Sequence, residues 1–233
     1  MAHRCLYGTH LALLLTIVAT LICAICLSLT AVINPRWQEV YYAKTSEILY
    51  YGLIENCVYG RRTLGQPYWI CNDKSFFKDT RDWHSGDTAE WRLMVTCLLV
   101  VGALLGVLAL LTQLFTALVF CTRQITYVRV ASVMSFVVLF FATVCSTGAI
   151  VVFMRKSYEF ASKPFFGVLL NAEEHLGLAY WLAVSAAVLF AVTVLISLAD
   201  VTIVFILSHQ RRKIQSNGKT SSWRAKIPNN GSI

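Results

Sequence analysis

The chain has 233 residues, 57% of them hydrophobic and 14% charged, with a formal net charge of +8 and a mean hydropathy of +0.63. A soluble domain is roughly 45–50% apolar and about 25% charged, so this composition excludes a large water-soluble core and a disordered binder. The positive surplus fits a nucleic-acid footprint or a membrane topology signal, and its position along the chain decides which.

A bilayer core about 30 Å thick takes roughly 20 consecutive apolar residues as a helix, because backbone groups in hydrocarbon must satisfy one another. Four runs qualify, and they predict an α-helical membrane protein: a four-helix bundle with a small extracellular antiparallel sheet in its first loop. In chain order, residues 1–10 form a short N-terminal segment and 11–33 the first span, whose 23 uncharged residues exceed a signal-peptide core and predict an uncleaved helix. Residues 34–92 form a long first loop, 93–121 the second span, 122–129 a short connection and 130–153 the third span. Residues 154–175 form a second loop, 176–207 a fourth span that contains Asp200, and 208–233 a basic tail whose polar stretch after Gln215 reads as disordered.

Lys and Arg in the short flanking segments set orientation. Residues 1–10, 122–129 and 208–233 carry nine bases and no acid, whereas the two loops carry eleven of each. The surplus is therefore a positive-inside signature that puts both termini in the cytoplasm and excludes nucleic acid as a partner. A plasma-membrane location is expected, and the Arg211-Arg212-Lys213 cluster can hold the tail against anionic lipid.

Aromatic and β-branched runs at 39–42 and 48–51, followed by turn residues Gly60, Gly65 and Pro67, predict strands in the first loop. Of eight cysteines only Cys57 and Cys71 fall outside the spans on the oxidising side, on either arm of a hairpin, so they are predicted to be bonded. Closing such a loop contributes about 3 kcal/mol in the chain-entropy account. Cys23, Cys26, Cys97 and Cys145 read as small apolar packing residues inside spans, and Cys5 and Cys121, at the cytoplasmic ends, are candidate palmitoylation sites without a firm motif. Cys57, Cys71, His84 and His175 make no ligand spacing, so no metal and no cofactor is expected.

The loop also reads Trp37, then Gly52-Leu53-Ile54-Glu55-Asn56-Cys57, then Cys71, then Arg92 at the start of the second span. This resembles the claudin superfamily, which includes claudins, peripheral myelin and epithelial membrane proteins and the calcium-channel γ subunits. Its first-loop signature is a tryptophan, Gly-Leu-Trp-x-x-Cys, a second cysteine and often that arginine. Ile54 replaces the motif tryptophan, and the chain ends in Asn230-Gly231-Ser232-Ile233 without the Tyr-Val of many claudins, which marks it as divergent. The resemblance implies that Trp37 is an interfacial anchor or a sheet core residue, and that Arg92 either bonds carbonyls at the sheet edge and locks the sheet to the bundle or simply snorkels to the interface.

Small residues recur every fourth position at Ala12, Thr16, Thr20, Ala24 and Ser28 and at Ala179, Ala183, Ala187 and Ala191, and Gly102 and Gly106 form a GxxxG. These stripes are assigned to packing within the bundle. Asp200 is placed near the inner headgroups, with Gln113 or a cytoplasmic-end arginine as its partner if it lies deep. Asp82, His84, Ser85 and Asp87, and the run Glu173-Glu174-His175 read as neighbours on a helix, match no catalytic arrangement, so the chain is not expected to be an enzyme. Two functions follow: a claudin-like junction or adhesion component acting through the first loop, or an auxiliary subunit of a channel or receptor. The partners are the lipid bilayer and other membrane proteins in the same or an opposing membrane, with homo-oligomerisation open.

Overall fold

The computed structural model describes residues 2–42, 47–61, 67–72, 87–121, 125–161 and 172–224. Helix α1 covers Ala2–Ile33, α2 Asp87–Cys121, α3 Ile125–Ala161 and α4 Leu178–Arg224. Within them Gly8–Ile33, Glu90–Val119, Tyr127–Ser157 and Leu178–His209 are each apolar enough and long enough to cross a bilayer. Helix α4 continues through the polar stretch expected to be disordered, with no proline before Pro228 to stop it.

Burial along each helix follows steps of four and three residues. On α1 the buried positions are His10, Leu14, Ile17, Leu21, Ala24, Ser28 and Ala31, and on α4 they run from Ala179, Ala183 and Ala186 through Phe190, Thr193, Ser197 and Asp200 to Val204 and Leu207. Helix α2 repeats the pattern from Val95 to Thr116 and α3 from Val128 to Phe153. A period of 3.5 is that of knobs-into-holes packing in a left-handed bundle. It also corrects the stripes read at every fourth residue. Four steps at about 100° per residue advance about 40° beyond a full turn, so such a stripe drifts around the helix. Ala24 and Ser28 are buried while Ala12 and Thr16 are exposed, and Ala179, Ala183 and Ala187 are buried while Ala191 is exposed.

Thr16, Thr20 and Thr30 on α1 each donate their hydroxyl to the carbonyl four residues earlier, which satisfies them without a neighbour. Cys23, Cys26 and Cys97 are exposed on the outer face and do not pack in the core, because each falls off the inward repeat. A Cβ on Gly102 would stand 2.7 Å from Ser146 Oγ of α3, and one on Gly106 would stand 3.1 Å from Ile25 of α1 and Phe190 of α4. The GxxxG therefore brings α2 against the other three helices.

Strands β1 (Gln38–Tyr42), β2 (Glu47–Tyr51), β3 (Asn56–Arg61) and β4 (Pro67–Asn72) form an antiparallel meander between α1 and α2. A fifth strand, β5 (Ala172–Leu176), pairs with β1 from the second loop, giving the order β4-β3-β2-β1-β5. The sequence reading put Glu173, Glu174 and His175 on a helix. They are extended because β1 offers an open ladder edge, and a run with little β-propensity takes that pairing.

Gly106→Val is expected to lower stability by about 1–3 kcal/mol in detergent unfolding, as overpacking does, while Leu104→Val on the exposed face leaves it unchanged.

Candidate interaction surface

The segment leaving α1 joins the bundle to the sheet. Asn34, whose backbone N–H still reaches Thr30 O at 3.0 Å, precedes Pro35, which cannot continue the helix. Trp37 then turns back, and its indole N–H donates to Ala31 O at 2.7 Å, satisfying a carbonyl of the last turn of α1. Its ring is fully buried, with centroids 4.8 Å from Phe153 and 6.5 Å from Tyr180, and Phe153 in turn lies 5.8 Å from Trp91. The end of α1, α2, α3 and α4 thus each place one aromatic ring in a layer that closes the sheet end of the bundle. Trp37 is neither an interfacial anchor nor a sheet core residue; it sits at the joint between the two bodies.

The backbone of the same residues clamps the sheet. Trp37 N donates to Tyr51 O at 3.2 Å, Gly177 N donates to Trp37 O at 2.9 Å, and Ala179 N in the first turn of α4 donates to Arg36 O at 2.8 Å. Glycine on either side permits this approach: a Cβ at Gly177 would lie 2.2 Å from Arg36 O, and one at Gly52 2.7 Å from Pro35 Cα. Gly52 N also donates to Glu55 O at 3.1 Å, closing the turn that carries Leu53 inward against the bundle and leaves Ile54 55% exposed. Arg92 donates to the side-chain oxygen of Asn56 at 3.3 Å and lies over the Tyr51 ring at 5.6 Å. It reaches the sheet through an amide and a ring in place of the expected edge carbonyls.

Register decides which side chains share a face. Tyr41 pairs with Ile48, Ile48 with Tyr59 and Tyr59 with Trp69, so one apolar row crosses four strands. The next row is Glu39, Tyr50, Cys57 and Cys71, with His175 of β5 beside Glu39. Cys57 and Cys71 are bonded between directly paired positions of β3 and β4. Arg36 lies over the Tyr50 and Trp69 rings at 4.9 and 5.5 Å, and those rings stand 5.1 Å apart. Burial pushes the Tyr50 phenol above its usual 10, against the opposing pull of Arg36, so it is a neutral hydroxyl at physiological pH. Tyr41 and Trp69 are nevertheless 40% and 44% exposed. Tyr51 and Asn56 lie on the opposite face, which meets Arg92, so the aromatic row faces away from the bundle.

Gly102, Gly106, Ala183 and Ala187 lie in the bundle seams, apart from this surface. The side chains of Cys5 and Cys121, with Asp82, His84 and Ser85 and the side chain of Asp87, lie outside the described residues. Among the described residues no three His, Cys, Asp or Glu side chains gather as a metal site.

Sequence reasoning missed one buried pair. Asp200 is 1% exposed, and its Oδ1 stands 2.5 Å from Nδ1 of His10 on α1, itself fully buried. It is buried inside the bundle, and its partner there is His10 in place of Gln113 or an arginine. A histidine in an otherwise uncharged N-terminal run was the available signal, and the antiparallel course of α1 and α4 brings it opposite the carboxylate.

A family model described as Clc-like matches residues 88–209, just over half of the chain. The chain belongs to the Clc-like family. The match takes in the second and third helices, β5 and the apolar part of α4, and stops short of β1–β4. A search of curated proteins finds no match.

Gly177→Ala is expected to abolish accumulation of folded protein, since its Cβ would meet backbone on a clamped strand exit. Gly148→Ala, where a Cβ meets nothing within 4 Å, is expected to be neutral or to stabilise by up to about 1 kcal/mol. Thermal melts of the two variants in detergent check the contrast.

Proposed function

We propose that this Clc-like chain is a divergent member of the claudin superfamily and a recognition protein of the plasma membrane. Its sheet binds neighbouring membrane proteins, in the same or an opposing membrane, as a junction or adhesion component. The observation that carries the reading is the outward row Tyr41-Ile48-Tyr59-Trp69, which leaves two large aromatic side chains in solvent on a disulfide-stapled, backbone-clamped sheet. Rigid aromatic side chains give large contact area at low entropic cost and dominate protein interfaces. The proposed orientation has both termini in the cytoplasm, supported by nine bases against no acids in the segments on that side. The same reading makes the chain non-catalytic.

Crosslinking at native abundance, followed by identification of the captured chain, tests it. Wild-type protein is expected to capture a membrane protein at cell contacts, with a double Tyr41→Ser, Trp69→Ser variant reducing capture at least tenfold while melting near wild type. Capture unchanged by the double variant would overturn the role of the row. A stoichiometric channel or receptor that co-purifies in mild detergent would replace the junctional reading with an auxiliary subunit. In intact cells, a tag after Ile233 is expected to be labelled only after permeabilisation, and Cys57 and Cys71 to be alkylated only after reduction.

A further inference from the structure

The half of the bundle away from the sheet holds polar groups with no use in recognition. Asp200 Oδ2, both amide atoms of Gln113, and the hydroxyls of Ser132, Ser135 and Ser197 are buried without a hydrogen-bond partner. All five residues are 0–1% exposed. Leaving such groups dry is costly, so buried polar atoms normally meet protein, water or a ligand.

Known contacts fix their relative height. Gly106 meets Phe190, and seven residues further along each of those parallel helices stand Gln113 and Ser197. Gly102 meets Ser146, and eleven residues along α2 and back along α3 stand Gln113 and Ser135. Gln113, Ser135 and Ser197 therefore share a level. One step of three residues away from the sheet brings Ser132 and Asp200, with His10 bonded to the latter, to the next level, about 5 Å on. All occupy the inward positions of the 3.5-residue repeat, so their side chains turn to the bundle axis.

Chemistry then narrows the occupant. The five residues supply five oxygen atoms: one carboxylate, one amide carbonyl and three hydroxyls. Hard oxygen donors suit alkali and alkaline-earth cations and disfavour soft metals. Asp200 is the only carboxylate among the five, so the donor set carries at most one negative charge, and its Oδ2 is the oxygen outside the contact with His10. Arg129, one turn from Ser132 on α3, is engaged over the Phe205 ring at 3.9 Å. A divalent ion would leave a net positive charge in a low-dielectric interior, whereas a monovalent ion cancels the charge. We propose that Asp200, Gln113, Ser132, Ser135 and Ser197 form a binding site for a small monovalent cation, sodium being the probe, inside the bundle. Asp200 lies nine residues, about 14 Å, from the end of the apolar part of α4 at His209, so the site sits in the half of the bundle opposite the sheet.

Ser28 and Ser146 are also buried and unpartnered, but on the sheet side of the Gly106–Phe190 contact and without a carboxylate. They serve as controls. The full chain, purified in detergent, is melted while sodium chloride replaces choline chloride at constant ionic strength, and retention of radiolabelled sodium is measured on the same sample. A saturable rise in Tm with sodium is expected, together with saturable retention. Asp200→Asn abolishes both; Ser135→Ala and Ser197→Ala each weaken sodium binding on the order of tenfold, and Ser28→Ala leaves it unchanged. The serine variants keep the test alive if Asp200→Asn fails to fold. Identical melts in the two salts with no sodium retained, meaning that internal water alone fills the level, would overturn the proposal. So would stabilisation by calcium and none by sodium, or equal weakening by Ser28→Ala.

Discussion

Two residues after α1, a single stretch of backbone serves three elements at once. Arg36 O accepts from Ala179 in the first turn of α4 and Trp37 O from Gly177 just before it, Trp37 N donates into β2, and the indole returns to the last turn of α1. A chain leaving a membrane helix must satisfy the carbonyls of its final turn, and in a bundle of four such helices there is little water to do it. Here one tryptophan side chain and its flanking peptide groups meet that demand while setting where the sheet stands. Because Gly52 and Gly177 allow backbone on both sides, the clamp is short, and the sheet is fixed to the bundle without a large apolar interface of its own.

That economy suits a small sheet. Four short strands with one disulfide could not bury enough area alone. Borrowing β5 from the second loop covers the open edge of β1, so that among the described residues the sheet's edges are β4, beside the staple, and β5. Arg92 adds a second tie from α2, through Asn56 and Tyr51, on the face turned toward the bundle. With Arg92 meeting that face, the opposite face carries the aromatic row, from which Tyr41 and Trp69 reach solvent.

The sequence made the coarse architecture legible for a physical reason: apolar length is a requirement of the bilayer and leaves a signal that no soluble fold imitates. The paired cysteines were legible because compartment removed the other six from consideration. The inward faces of the helices were not. A membrane helix is apolar on every side, so hydrophobicity does not say which side faces protein. Stripes of small residues misled at Ala12, Thr16 and Ala191, which face outward. The informative residues were the polar ones: His10, Ser28, Gln113, Ser132, Ser135, Ser146, Thr193, Ser197 and Asp200 all fall on the buried repeat. Strand β5 escaped because Ala-Glu-Glu-His-Leu carries no strand signature, and only the edge of β1, distant in sequence, makes it one.

The two ends of the bundle follow opposite strategies. At the sheet end, Trp37, Trp91, Phe153 and Tyr180 fill the axis with rings, and the fully buried indole of Trp37 has its N–H satisfied. At the far end the axis is built of serines, a glutamine and an acid–base pair, and Thr193 donates to Thr20 at 3.0 Å between these halves. An aromatic layer excludes water at the joint with the sheet, whereas a polar axis is stable only with its donors and acceptors matched. Placing the acid–base pair at the end remote from the sheet separates the two demands along the bundle, with the clamp at Trp37 at one end and the His10–Asp200 contact toward the other.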